Sequence, residues 1–170
     1  LGGLLSNDLR EKVLAYCISD THSNNELDYL LEELVKLYET QEDLDNSIRE
    51  FCEKCNGYLR NKHFEYDEVN VKVQVKSDTN DIYIGLESLS SGEKQIVAMM
   101  SKLYLADDKD YVILVDEPEL SLSIDWQKRL LPDFVASKKC KYLMAVTHSP
   151  FIYSNSLQDY AVGMSNFIKE

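Results

Sequence analysis

The run Tyr111-Val112-Ile113-Leu114-Val115, followed at once by Asp116, Glu117 and Pro118, narrows the choice of folds more than any other stretch of the chain. An uninterrupted apolar run of this length, rich in β-branched residues, suits a strand covered on both faces in a parallel sheet. Pro118 cannot donate to a strand ladder, so pairing stops there and the chain turns. Strands of parallel sheets end at a ligand crevice, which places two adjacent carboxylates where metal and water chemistry can occur. There, Asp116 is suited to hold Mg2+ through a coordinated water, because that ion keeps part of its hydration shell. Glu117 is suited to polarise an attacking water as general base. The plainer reading is a surface turn after a strand, where acids and proline are common.

The surrounding pattern supports a layered α/β architecture. From Gly92 onward, Ile96, Val97, Met100, Leu103 and Tyr104 mark a helix face, and a second helix is expected near Ser123–Ser137. Further strands are expected at Tyr142–Thr147 and Tyr160–Met164, giving a mostly parallel sheet flanked by helices. Pro132 falls inside the second helix and predicts a kink or an interruption. Upstream, Leu27, Leu30, Leu31, Leu34, Leu37, Tyr38, Leu44, Ile48 and Phe51 recur at helical spacing between about Asn24 and Arg60. That stretch reads either as an amphipathic helix packed on its own domain or as an arm that docks a partner. Alternation in Asp67–Lys76, the turn residues SDTND and the apolar Ile82–Leu86 together predict an antiparallel hairpin. The expected division is a helical arm over 1–63 and a mixed α/β portion over 64–170, hairpin included.

Two further segments bear on chemistry. Leu89-Ser90-Ser91-Gly92-Glu93-Lys94-Gln95 precedes a helix. Small residues at a helix start let backbone N–H groups approach an anion, Ser90 adds a hydroxyl donor and Gly92 leaves room. The same residues also fit a simple helix cap with Glu93 in the first turn. In Ala145-Val146-Thr147-His148-Ser149-Pro150, a histidine sits at the end of an apolar strand, where its imidazole can hydrogen-bond a phosphate or merely satisfy neighbouring backbone.

In their order and spacing, LSSGEKQ (89–95), VILVDEPE (112–119) and VTHSP (146–150) resemble the signature, Walker B and His-switch motifs of the ABC ATPase superfamily. The resemblance runs from about Ile82 to the C-terminus. The spellings are most similar to non-transporter members from bacterial defence and DNA maintenance, including relatives of the overcoming-lysogenisation-defect, Septu and PARIS ATPases. It implies the C-terminal lobe of an ATPase head, with ATP and Mg2+ as ligands. It also implies a head-to-tail homodimer, with Ser90, Ser91, Gly92 and Glu93 on the nucleotide of the opposite subunit. Asp116, Glu117 and His148 would serve the nucleotide held in cis. Ser123 stands in the D-loop region where an aspartate is common, which weakens a signalling role there. A noncatalytic dimerisation module and a transporter subunit are the competing readings.

A phosphate-binding loop reads G-x-x-x-x-G-K-[ST], and none of the six glycines is followed by Lys-Ser or Lys-Thr. The Walker A lobe is therefore expected outside this sequence, and the chain alone is expected to be inactive. The net charge of −12 argues against a broad phosphate-binding face, so an effector nuclease or nucleic acid would be reached through other segments. No apolar stretch approaches membrane-spanning length, and LGGLLSNDLREK lacks the order of a signal peptide, so the chain reads as cytoplasmic with no membrane partner. Cys17, Cys52, Cys55 and Cys140 read as reduced thiols. Cys52 and Cys55 have the spacing of half a zinc site, but two cysteines on a helix face is the simpler reading. His22 reads as part of a helix-start turn.

Overall fold

The computed structural model describes residues 25–106 and 110–166. The readings of Gly2, Gly3, Cys17 and His22 lie outside them. The described residues up to Asn56, with Asn61–Gly85, form one compact unit; Gly57–Arg60 and the residues from Leu86 onward form a second. The hairpin falls in the same compact unit as the preceding helix.

The first unit is one long helix, α1 (Asn25–Asn56), and a three-stranded antiparallel sheet, β1 (Lys62–Asp67), β2 (Lys72–Ser77) and β3 (Tyr83–Ile84). Helix and sheet meet where the Phe51 and Phe64 rings lie 5.4 Å apart, an arrangement in which the positive edge of one ring can face the other. The Asn56 side chain accepts from Phe64 N and donates to Phe64 O, fixing the helix end against β1. Tyr66 donates to Asp45, and Arg49 pairs with Glu68 at 2.9 Å. Leu44, expected in the apolar stripe, is exposed. Cys52 and Cys55 share the buried face that Phe51 occupies. Burial pushes their thiols up to about 11 and about 12, with Cys52 adding to the effect on Cys55. Thiolates, the form that binds metal, are correspondingly disfavoured.

The expected antiparallel hairpin is present as the β2–β3 pair, Val75↔Ile84 and Lys76↔Tyr83, but its first strand begins later than expected. Asp67 closes β1, a strand the sequence reading missed, and residues 68–71 turn before β2 begins at Lys72. One Asp67 carboxylate oxygen accepts from Val69 N and Asn70 N while the other accepts from the Asn70 amide. This side-chain turn breaks what looks like continuous valine alternation. Val71 is left at φ 50, half-exposed, a left-handed conformation that costs an L-residue roughly 1–2 kcal/mol. Replacing it with glycine is expected to stabilise the protein by about 0.5–1 kcal/mol once the entropy of glycine is subtracted. A raised thermal-denaturation midpoint is the readout, and a lowered one contradicts the turn described here.

The second unit contains α2 (Ser91–Tyr104), β4 (Tyr111–Asp116), α3 (Ile124–Ala136) and β5 (Cys140–Val146). β4 and β5 are parallel, from Tyr111↔Cys140 to Asp116↔Val146, with a bulge that leaves Lys141 extra near the start. The expected α/β class and parallel pairing are therefore present. The core gathers Ile96, Met100 and Leu103 of α2 with Leu130, Leu131 and Phe134 of α3. Tyr58 belongs to this unit: it is buried, donates to Asp133 at 2.6 Å and meets the Trp126 ring edge-on.

Pro132 does not interrupt α3. Proline supplies no N–H for the Lys128 carbonyl one turn earlier, and the Asn155 amide donates to that carbonyl instead, at 2.9 Å. The strand expected at Tyr160–Met164 is absent; two short 3-10 turns, Gln158–Tyr160 and Met164–Asn166, flank an extended link. Tyr160, Val162 and Met164 keep their alternation but are exposed, with no neighbouring strand among the described residues to pair them.

The sheet has two unlike faces. Tyr111, Ile113 and Val115 are half-buried, whereas Val112, Leu114, Tyr142 and Met144 are exposed. A parallel strand pair with such a bare apolar face departs from the usual burial of parallel sheets on both sides.

Candidate functional site

The carboxyl ends of β4 and β5 lie side by side, and they bring three of the expected residues together. The ladder continues one rung beyond the paired Asp116, because Glu117 N donates to Val146 O at 2.8 Å. Glu117 has φ 45, and left-handed conformations in a non-glycine residue cost on the order of 1–3 kcal/mol. The chain reverses there, with Pro118 buried behind it. The Glu117 carboxylate consequently stands half-exposed at the strand tip, its Oε1 4.0 Å from Nε2 of a well-exposed His148. Asp116 is exposed at the last position of β4. An acid able to accept a proton from water, a second hard oxygen donor and an imidazole therefore share one solvent-facing edge.

Glu119 is the residue of this site that the sequence reading left without a role. Its Oε1 accepts from His148 N at 2.9 Å and Ser149 N at 3.1 Å, and its Oε2 accepts from the Thr147 hydroxyl at 2.7 Å. Partial burial opposes its ionisation, but the Thr147 hydroxyl and the backbone N–H groups of Glu119 itself, His148 and Ser149 outweigh that and hold its carboxyl below the usual glutamate range. Gln127 of α3 adds a further tie by accepting from the Ser149 hydroxyl at 2.6 Å. A carboxylate opposite a Thr-His-Ser turn leaves no periodic trace in sequence, so only the fold reveals the pairing.

The Ser90–Glu93 segment begins α2 as a reciprocal cap. Ser90 Oγ accepts from Glu93 N at 3.3 Å while Glu93 Oε2 accepts from Ser90 N at 2.7 Å. The cap reading of these residues is thus realised. Ser90 and Ser91 remain exposed, and the Ser90 hydroxyl keeps its proton for an outside acceptor. Gly92 and Glu93 are buried. A Cβ on Gly92 would fall 2.4 Å from the Ser121 carbonyl oxygen, so the room this glycine leaves is filled by the chain's own backbone. Ser123 caps α3, its hydroxyl accepting from Trp126 N at 3.4 Å.

Residues 20–154 match the family model described as "AAA domain, putative AbiEii toxin, Type IV TA system". The chain is also similar to an Escherichia coli protein named "Retron Ec83 probable ATPase", with 28% identity over 137 residues covering 64% of this chain and 25% of the relative. It therefore spans about a quarter of that relative's length.

Proposed function

The chain belongs to the AAA-domain family described as "putative AbiEii toxin, Type IV TA system", and from that premise we propose that it forms the hydrolytic portion of an ABC-type ATPase head. The observation that carries this reading is the meeting of Asp116, Glu117 and His148 at adjacent tips of parallel strands, with 4.0 Å between the Glu117 and His148 side chains.

In this mechanism Glu117 accepts the proton of the attacking water, and its position outside the last rung of the ladder leaves it room to do so. His148 donates from its exposed imidazole to a γ-phosphate oxygen and steadies the approach of that water. Asp116 is the residue fitted to hold Mg2+: it is exposed, an oxygen donor and adjacent to the base, and this ion commonly takes one or two carboxylates together with nucleotide oxygens. When bound, the ion neutralises charge that develops on the β- and γ-phosphates.

Ser90 and Ser91 supply hydroxyls toward the nucleotide of a second head, with Gly92 and Glu93 shaping the turn that presents them. Two heads close around two nucleotides as a homodimer and open after hydrolysis, and an effector reads the change. The Walker A loop lies on a lobe outside these 170 residues, and that lobe packs on the bare face of Val112, Leu114, Tyr142 and Met144. The process served is bacterial antiphage defence. A family described as part of a toxin–antitoxin system and a relative named from a retron support that context. No helix among the described residues is long and apolar enough to cross a membrane.

Calorimetry tests the division of labour. The 170-residue chain is expected to bind Mg-ATP no more tightly than about 1 mM, whereas a longer polypeptide that includes the phosphate-binding loop reaches about 1 μM, a difference of roughly 4 kcal/mol. Micromolar binding by the 170 residues alone overturns the proposal.

A further inference from the structure

We infer that Glu119 is a positioning residue for His148, setting the place of the imidazole by gripping the backbone that carries it. The inference rests on the ATPase reading above and adds a residue to its site.

The argument begins where the β4–β5 ladder ends. Glu117 N to Val146 O is the last backbone rung, and the next groups along β5 are bonded by the Glu119 side chain instead. The reversal at Glu117 and buried Pro118 turns the chain so that Glu119 comes back to the tip of the neighbouring strand. Three consecutive residues, Thr147, His148 and Ser149, then share one carboxylate. The two amide bonds fall on the same oxygen, Oε1, at 2.9 and 3.1 Å, so the peptide planes on either side of His148 are both oriented.

The His148 side chain itself is 87% exposed, and 4.0 Å separates it from Glu117. An imidazole so little packed cannot be placed by surrounding atoms. Its backbone must be fixed for Nε2 to reach the same point in every molecule, and displacement of a reacting group by about 1 Å costs on the order of 100-fold in rate. Removing Glu119 also strips the acceptor from His148 N, and leaves Ser149 N only its bond to Thr147 Oγ1 at 3.0 Å.

The test compares Glu119→Ala, Glu119→Gln, Glu119→Asp and Glu117→Gln in the full-length protein, reading ATP turnover and amide hydrogen exchange. Glu119→Ala is expected to lower kcat by about 30- to 100-fold with little change in KM for Mg-ATP, because the placement of a catalytic group is lost rather than a ground-state contact. In Glu119→Gln the amide oxygen accepts from His148 and Ser149 while the Thr147 hydroxyl turns to accept from the new NH2. It should therefore recover turnover to within about threefold of the parent. Glu119→Asp, one methylene shorter, should fall with the alanine variant. The exchange rate of the His148 amide, whose acceptor is Glu119 Oε1, should rise in the alanine and aspartate variants and stay slow in the glutamine one.

An unchanged kcat in Glu119→Ala or Glu119→Asp, or a glutamine variant as slow as the alanine one, overturns the inference. If the alanine protein fails to fold, the aspartate and glutamine variants decide it alone. Undiminished turnover in Glu117→Gln refutes the hydrolytic reading instead, and amide exchange still shows whether Glu119 holds the turn.

Discussion

Glu117→Gln in the full-length protein is expected to slow ATP hydrolysis by about 10²- to 10⁴-fold while leaving Mg-ATP binding intact, the range lost when a positioned general base is removed. The substitution is nearly isosteric, so it preserves the half-exposed side chain at the tip of β4 and the rung from Glu117 N to Val146 O. It removes only the group that can take a proton from water. Because φ at this residue is 45, the backbone penalty is similar for glutamate and glutamine and drops out of the comparison. A second consequence accompanies the first: if nucleotide closes two heads and hydrolysis releases them, the variant accumulates as a dimer in ATP. Single-turnover kinetics and sedimentation read the two effects separately. Turnover within a few-fold of the parent would remove Glu117 from the role of base.

Gly92→Ala is the second substitution with a large expected effect, and its sign is informative. In the first turn of a helix, alanine is ordinarily favoured over glycine by about 0.5–1 kcal/mol. Here the added methyl would lie 2.4 Å from the Ser121 carbonyl oxygen and 3.2 Å from the Trp126 ring. A flexible side chain can swing aside from such a contact, but a carbonyl of a residue held at φ 63 has little freedom to do so. The helix start must lift off the loop, and overpacking of this kind costs typically about 1–3 kcal/mol. Denaturant unfolding should show a lower midpoint, and nucleotide-dependent dimerisation should fall because Ser90 and Ser91 move with the turn. A variant as stable as the parent contradicts the close approach of Gly92 to Ser121.

The readable parts of the chain were those whose cause is local. β4 declared itself through five adjacent apolar residues, and Asp116 and Glu117 are placed simply by following it. Helix α2 was legible for the same reason, with Ser90 and Glu93 at capping spacing. The hairpin pairing of β2 with β3 is legible, but its first strand starts later than its pattern implies, because Val69, Val71, Val73 and Val75 maintain one alternation across a turn that the Asp67 side chain makes. The uninterrupted course of α3 through Pro132 is not legible in the sequence, because the replacement donor, Asn155, lies 27 residues beyond the Lys128 carbonyl it serves. Glu119 was invisible for a similar reason: its partners are nearly 30 residues away and are mostly backbone groups, which have no letter in a sequence. The link around Tyr160–Met164 carries a strand's pattern without a neighbour to complete it, and a pattern alone does not make a ladder.

The bare side of the β4–β5 pair has a consequence for how the molecule is made. Side chains as large as Leu114 and Met144 meet water there, and strand margins offer unpaired peptide groups to any passing extended chain. If the covering lobe proposed above is part of the same polypeptide, these two strands have a sticky interval during synthesis that lasts until that layer arrives. If that layer has already emerged from the ribosome it serves as a template and the interval is brief. Expressed by themselves, the same residues are expected to gather on one another or on a chaperone, and yield would then fall as expression level rises.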